Sequence, residues 1–111
     1  MSARISDAPS DLRSKLDDSL ERGAVAVRGD HRAYAAALAE ATALLNADRS
    51  LSSTDRIAFQ LAIIDRLATA ALQGAIDAGG GDVLAAALRE GRFDAFLQPE
   101  SRADLLRAAA L

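Results

Sequence analysis

The sequence predicts an all-α protein, a compact bundle of four to six helices joined by short loops. Alanine and arginine, both strong helix formers, are abundant, and the 111 residues include only two prolines. Leucines and other apolar residues recur at intervals of three and four, the spacing of one face of a helix. No segment alternates apolar and polar residues with a period of two, so we expect no sheet.

The first helix is predicted to begin near Pro9 or Ser10, because proline is favoured in the first helical turn. Its apolar face repeats every four residues, at Leu12, Leu16 and Leu20. The residues before it are mostly polar, without the apolar run of an export signal. We therefore expect a flexible N-terminus over residues 1–8 and a single helical domain over residues 9–111.

A boundary between the first two helices is predicted at Gly29 and Asp30, since glycine commonly ends a helix and aspartate commonly caps the next. An apolar seam crosses this boundary with 4-3-4-3-4 spacing, at Val27, His31, Tyr34, Leu38, Ala41 and Leu45. The boundary also spells the cell-adhesion tripeptide Arg28-Gly29-Asp30. We interpret it as helix punctuation, because its flanks fit a helix boundary and no export signal is expected.

The third helix, expected to be capped by Ser53, is apolar on two faces. One stripe consists of Ile57, Leu61, Ile64, Ala68, Ala71 and Ala75, and the other of Phe59, Ile63, Leu67 and Ala70. A helix of this kind is buried by neighbours on both sides, so we expect it at the centre of the bundle. Charged Asp65 and Arg66 in its middle argue against a membrane span. Which stripe is core and which is interface stays open.

Further helix-boundary signals divide the C-terminal part of the chain into shorter elements. Gly79-Gly80-Gly81 is expected to end the third helix, and Asp82 to cap a fourth that stops at Gly91. We interpret these glycines as a turn, since the features of a phosphate-binding loop are missing. Phe93 and Phe96 fall in a short helical turn before Pro99. Ser101 and Asp104 resemble a capping box that opens a last helix containing Leu105 and Leu106.

Composition excludes several classes of function. The net charge is -3, Lys15 is the only lysine, and no basic run is present, so we expect neither nucleic-acid nor membrane binding. The chain has no cysteine and one histidine, which leaves few ways to assemble a metal or catalytic site. We expect no cofactor and no enzymatic activity. A less favoured alternative is a pocket that uses His31 and Tyr34.

The remaining class is a cytoplasmic binding protein. The alanine- and arginine-rich composition is typical of a bacterial protein. We hypothesise that it masks or chaperones a protein partner, as immunity proteins, antitoxins and secretion chaperones do. Acidic residues of the first helix would steer a basic partner, namely Asp17, Asp18 and Glu21. Phe93 and Phe96 would anchor it, unless they plug the end of the bundle. The alternative is a homodimer paired across the Tyr34–Leu45 or the Leu105–Leu106 stripe.

Overall fold

The computed structural model of the chain describes residues 2–110, and side chains from residue 11 onward. The five α-helices are α1 (Ser2–Gly29), α2 (Tyr34–Ala47), α3 (Ser53–Asp77), α4 (Gly81–Arg89) and α5 (Pro99–Ala110). A 3-10 turn, His31–Ala33, precedes α2. Within residues 2–110 there is no strand, so the predicted all-α fold is confirmed.

The start of α1 at Ser2 differs from the predicted start near Pro9 or Ser10. Proline is frequent in a first helical turn, but it does not exclude helical backbone ahead of it, and here the helix already includes the preceding residues. The division into a flexible segment 1–8 and a domain 9–111 stays a prediction. Met1 and Leu111 lie outside the described residues.

The first three helices form an up–down–up bundle. The guanidinium of Arg13 lies 5.9 Å from the centre of the Phe59 ring, and Gly23 lies further along α1 beside Leu67. Residues later in α1 contact residues later in α3, so these two helices are parallel. The short loop at residues 48–52 makes α2 antiparallel to them. Their shared core, the first core, contains Leu12, Leu16, Leu20, Val27, Ala41, Leu45, Ile63, Leu67 and Ala70.

A second core lies at the C-terminal half of α3, where α4 and α5 pack. It contains Ala68, Leu84, Leu88, Leu97 and Leu105. Tyr34, at the start of α2, packs against both cores. Because α3 contributes to both cores, its predicted central position is confirmed. Two long helices give the bundle its elongated shape of 54 × 23 × 19 Å. No helix within residues 2–110 has the length and apolarity needed to cross a membrane.

The close contact between α1 and α3 depends on Gly74. A Cβ atom built there would lie 2.3 Å from the carbonyl oxygen of Arg28, closer than any real contact between such atoms. Only glycine therefore allows the end of α1 to approach α3 this closely. Beside this contact, the Arg28 guanidinium binds the Asp77 carboxylate, with Nε 2.7 Å from Oδ2.

Two of the predicted caps are displaced. α3 is capped by Ser52, one residue before the predicted Ser53, and the Ser52 hydroxyl accepts the Asp55 amide at 3.1 Å. Adjacent serines give the same sequence signal, and the extended backbone at Ser52 makes it the cap. α4 begins at Gly81 with Gly80 as its cap residue, so Asp82 lies inside the first turn instead of capping it.

The start of α5 is also earlier than predicted, at Pro99. Ser101 does not act as a cap, because its hydroxyl donates to Asp65 Oδ2 of α3 at 2.9 Å. The other oxygen of the Asp65 carboxylate accepts the Gln98 amide at 2.7 Å. Asp65 thus caps α5 from another helix. Its negative charge also interacts favourably with the positive, N-terminal end of the α5 macrodipole.

Candidate protein-binding surface

The tripeptide Arg28-Gly29-Asp30 is a helix boundary in the structure. α1 ends at Gly29, and Asp30 Oδ1 accepts the Arg32 amide at 3.0 Å as the cap of the 3-10 turn. Hydrogen bonds from Arg32 lower the pKa of the Asp30 carboxyl below its ordinary value. Arg28 is held by Asp77, and the same hydrogen bond lowers the pKa of Asp77. Arg28 and Asp30 therefore have structural roles, and Gly29 is the last residue of α1.

His31 and Tyr34 have different surroundings in the structure. His31 is exposed, because the 3-10 turn carries it off the apolar seam on which the sequence placed it. It borders a cleft of about 390 Å³ between the end of α1 and α3, and Tyr34 does not line that cleft. Tyr34 instead lies half-buried between the two cores, and burial raises the pKa of its hydroxyl.

The three acidic residues proposed from the sequence all lie on the outer side of α1 and are exposed. Asp17 borders a groove between α1 and α3, and Glu21 lies one helical turn further along the same side. Asp18 points further round the helix, away from the groove. Among the described side chains none of the three takes part in an ion pair, so their charges are available to a partner.

The two phenylalanines proposed as anchors differ in their surroundings. Phe93 is half-buried and packs against the second core. Phe96 is 48% exposed and borders a shallow depression of about 260 Å³ together with Leu61 and Ile64. The predicted helical turn is present, since the Leu97 amide donates to the Phe93 carbonyl at 3.1 Å. Phe93 therefore closes the end of the bundle, and Phe96 is open to a partner.

An exposed apolar stripe on the N-terminal half of α3 was missed by the sequence reasoning. Ile57 is 60% exposed and Leu61 51% exposed, and both belong to one of the two stripes for which the sequence left open which is core and which is interface. Of its later members, Ala71 packs against the first core, and Ala68 lies in the second core with α4 and α5. Those helices have 9 and 12 residues and cannot cover the 25 residues of α3. The last two helices are shorter than the third, and this difference in length was the signal that could have predicted the exposed stripe.

The groove between α1 and α3 lies on the opposite side of α3 from this stripe. Its volume is about 420 Å³. Its lining is mainly apolar, formed by Leu16, Leu20, Leu51, Ala58, Phe59, Ala62 and Ile63. Charged residues border it, with Asp17 on α1, Asp55 on α3, and Arg13 over the Phe59 ring. We call this region, from Arg13 to Leu20 and Asp55 to Ile63, the acidic groove.

The furrow between α1 and α3 continues along the same two helices beyond the acidic groove. A second segment of about 280 Å³ is lined by Ala24, Val25, Arg28, Arg66, Thr69, Ala70 and Gln73. Its charged members are arginines, and Arg28 is already paired with Asp77. The surface between α1 and α3 is thus acidic at one end and basic at the other.

This surface offers apolar contact and charge, the ordinary ingredients of a protein interface. Within the described residues no group of three or more histidine, aspartate or glutamate side chains is placed to hold a metal ion. Comparison of the chain with protein-family models, with curated proteins and with solved structures found no match.

Proposed function

We propose that the protein is a non-enzymatic, cytoplasmic binding module that masks or chaperones a basic protein partner, in the manner of an immunity protein, an antitoxin or a secretion chaperone. One observation carries the proposal: Leu61 and Phe96 are exposed around one shallow depression, and Ile57 is exposed one helical turn before Leu61. Exposed apolar residues that cluster, with charges around them, mark interaction sites.

The apolar and the acidic residues have separate roles in this proposal. Phe96 supplies an aromatic anchor, the kind of side chain that dominates binding energy at interfaces. Asp17, Asp18 and Glu21 attract a basic partner and accelerate the encounter, because complementary charge acts mainly on the association rate. The net charge of -3 acts in the same direction.

The test begins with capture of the partner by the tagged protein from its native lysate, followed by rate measurements with the purified partner. Neutralising the acids (Asp17→Asn, Asp18→Asn, Glu21→Gln) should slow association about tenfold at low salt and much less at high salt. The matched control (Ala35→Lys, Ala39→Lys, Ala43→Lys) adds the same charge on exposed positions of α2. Equal slowing in both variants would show that net charge alone matters and would remove these acids from the interface.

The anchoring role of Phe96 has its own test. Phe96→Ala should raise the dissociation rate of the complex about tenfold or more, as truncation of an interface anchor does. Val83→Ala removes another strongly exposed apolar side chain, on α4, and serves as the control. Failure to capture any stoichiometric partner, or an unchanged dissociation rate for Phe96→Ala, would reject the masking function as proposed.

Self-association through the exposed α3 stripe is the second candidate. The stripes predicted to pair, Tyr34–Leu45 and Leu105–Leu106, are largely used inside the chain, where Leu45 is 0% and Leu105 1% exposed. A homodimer would therefore pair through Ile57 and Leu61. It would show twice the monomer mass in light scattering and a melting temperature that rises with concentration. Leu61→Glu should return such a dimer to the monomer mass.

A further inference from the structure

The acidic groove and its continuation have the form of a seat for one more helix. We infer that the occupant is an amphipathic helix of the partner protein, which lays its apolar side between α1 and α3 and directs lysine or arginine side chains to Asp17 and Asp55. The inference rests on the proposed function, since it names the part of the partner that the module binds.

The geometry of the groove fits a helix. Its α1 wall is formed by residues that recur every three or four positions, Arg13, Leu16, Asp17, Leu20, Ala24 and Arg28. Its α3 wall follows the same rule, and the two helices are parallel. Such a furrow between neighbouring helices accepts the side-chain ridge of a third. From Arg13 to Arg28 it is about 22 Å long at 1.5 Å per residue, which corresponds to about four turns of a bound helix.

The charges define the chemistry of that helix. Asp17 and Asp55 border the acidic groove from opposite walls, and neither forms an ion pair with another described side chain. A basic residue on either flank of the incoming helix would meet a carboxylate. Arg13 also borders the acidic end, where its guanidinium lies over the Phe59 ring. At the opposite end Arg66 disfavours a cation, whereas the charge of Arg28 is paired with Asp77. The partner helix should therefore be basic at the end that covers Asp17 and Asp55.

A second copy of the chain fits this groove less well. A two-fold dimer brings the same surface of both copies together. The groove is recessed between two helices, so two such grooves placed face to face do not fill each other. A protruding helix from a different protein fills the recess, and this decides between the two occupants.

The test uses the full chain and a pair of labelled peptides of about 18 residues, which form helices of about 27 Å. Both have the same apolar face of leucine and alanine. One has lysines flanking that face at one end, and the other has glutamates at the same positions. Fluorescence anisotropy should show binding of the basic peptide at least tenfold tighter than the acidic one, and circular dichroism should show that it becomes helical when bound.

Variants then locate the peptide. Ala62 is exposed on the α3 wall, so Ala62→Arg places a bulky cation in the groove without changing the core. It should weaken binding of the basic peptide at least tenfold, whereas Ala86→Arg, at an exposed position of α4, should leave binding unchanged. Asp17→Lys tests the same groove from the α1 wall and replaces Ala62→Arg if that variant unfolds.

The outcomes separate this inference from the proposed function. If the basic peptide does not bind, or binds equally well to Ala62→Arg and Asp17→Lys, the helix-in-groove inference is overturned. If the native partner responds to the acidic-residue and Phe96→Ala variants but not to Ala62→Arg, the module binds by another surface and only the inference fails. If the chain alone shows a doubled mass that Ala62→Arg returns to one copy, the occupant is a second copy.

Discussion

The two cores that pack against α3 are held together differently. In the first core, long helices are packed closely, with Gly23 beside Leu67 and Gly74 against the α1 backbone. In the second core, short helices depend on polar contacts as well, including those of Asp65 with the start of α5. The Arg102 guanidinium adds another contact, to the Leu88 carbonyl at 3.1 Å. Beside the first core the Arg56 guanidinium makes similar contacts, to the carbonyls of Leu45 and Asp48. The first core therefore differs by the close approach of its helix backbones, and the second by the support that Asp65 gives to the start of α5.

The largest expected difference is between one buried leucine in each core. Leu67→Ala in the first core and Leu105→Ala in the second should each cost about 2–5 kcal/mol, the range for such truncations. Leu67→Ala should destabilise the whole chain, because α1, α2 and α3 share that core. Leu105→Ala should mainly promote local opening of α4 and α5.

Amide hydrogen exchange with mass spectrometry measures this difference. In Leu105→Ala, exchange should rise in α4 and α5 while α1 and α2 stay protected, whereas in Leu67→Ala it should rise in all helices. A uniform rise in both variants would mean that the two cores open as one cooperative unit.

Close approach of backbones in the first core is tested by Gly74→Ala. The new Cβ would clash with the Arg28 carbonyl oxygen, so α1 and α3 must separate, at an expected cost of about 2–3 kcal/mol in urea unfolding. Gly29→Ala is the matched control, because a Cβ there has nothing within 4 Å. Its effect on stability should be under about 1 kcal/mol. Equal stability of Gly74→Ala and the control would contradict the close approach.

The polar support of the second core is tested by Asp65→Ala. Loss of the acceptor for the Gln98 amide and the Ser101 hydroxyl should cost about 1–2 kcal/mol, the usual value for a helix cap. Ser52→Ala, which removes the cap of α3, is the counterpart in the first core. Hydrogen exchange should rise in the first turn of α5 for Asp65→Ala and in the first turn of α3 for Ser52→Ala. Unchanged exchange in α5 would mean that Asp65 does not support this helix.

The smallest effect is expected for Asp77→Asn, which removes the exposed ion pair between the ends of α1 and α3. The pKa of Asp77 is lowered from its ordinary value of 3.8 by the Arg28 hydrogen bond, so the folded state favours the charged form. The stabilisation is present above the ordinary pKa and is lost as the pH falls through the lower folded value.

Urea midpoints of wild type and Asp77→Asn measured across the acid range test this. The wild type should be slightly more stable at neutral pH, and the difference should disappear below pH 3.8, as the Asp77 carboxylate becomes protonated. A difference that does not change with pH would show that the ion pair is not its cause.

Local sequence signals predicted most of the helical architecture. The four-residue spacing of Leu12, Leu16 and Leu20 identified the buried face of α1, and Gly29 with Asp30 identified its end. These signals are effective because periodicity and capping depend on neighbours within one or two turns. The cap of α3 lies one residue before the predicted Ser53, and α5 begins two residues before the predicted Ser101, because neighbouring residues offered similar signals.

The candidate site was only partly predictable. Exposure of Asp17, Asp18 and Glu21 followed from their charge, and the turn containing Phe96 followed from its glycine and proline neighbours. The exposed Ile57 and Leu61 did not follow, because their spacing is the same as that of buried residues further along α3. The acidic groove could not be predicted, because it depends on the relative position of α1 and α3, which no local sequence pattern specifies.

The sequence by itself determined that the chain is helical, where most of its helices end, and which residues are charged and available to solvent. These properties depend on backbone propensity and on the contrast between apolar and polar side chains within a few residues. Only the tertiary structure decided that Phe93 is covered and Phe96 open, that Asp65 caps a distant helix, and that half of an apolar stripe is exposed. The reason is that burial depends on which neighbours are long enough and close enough to cover a residue, and these neighbours are distant in sequence.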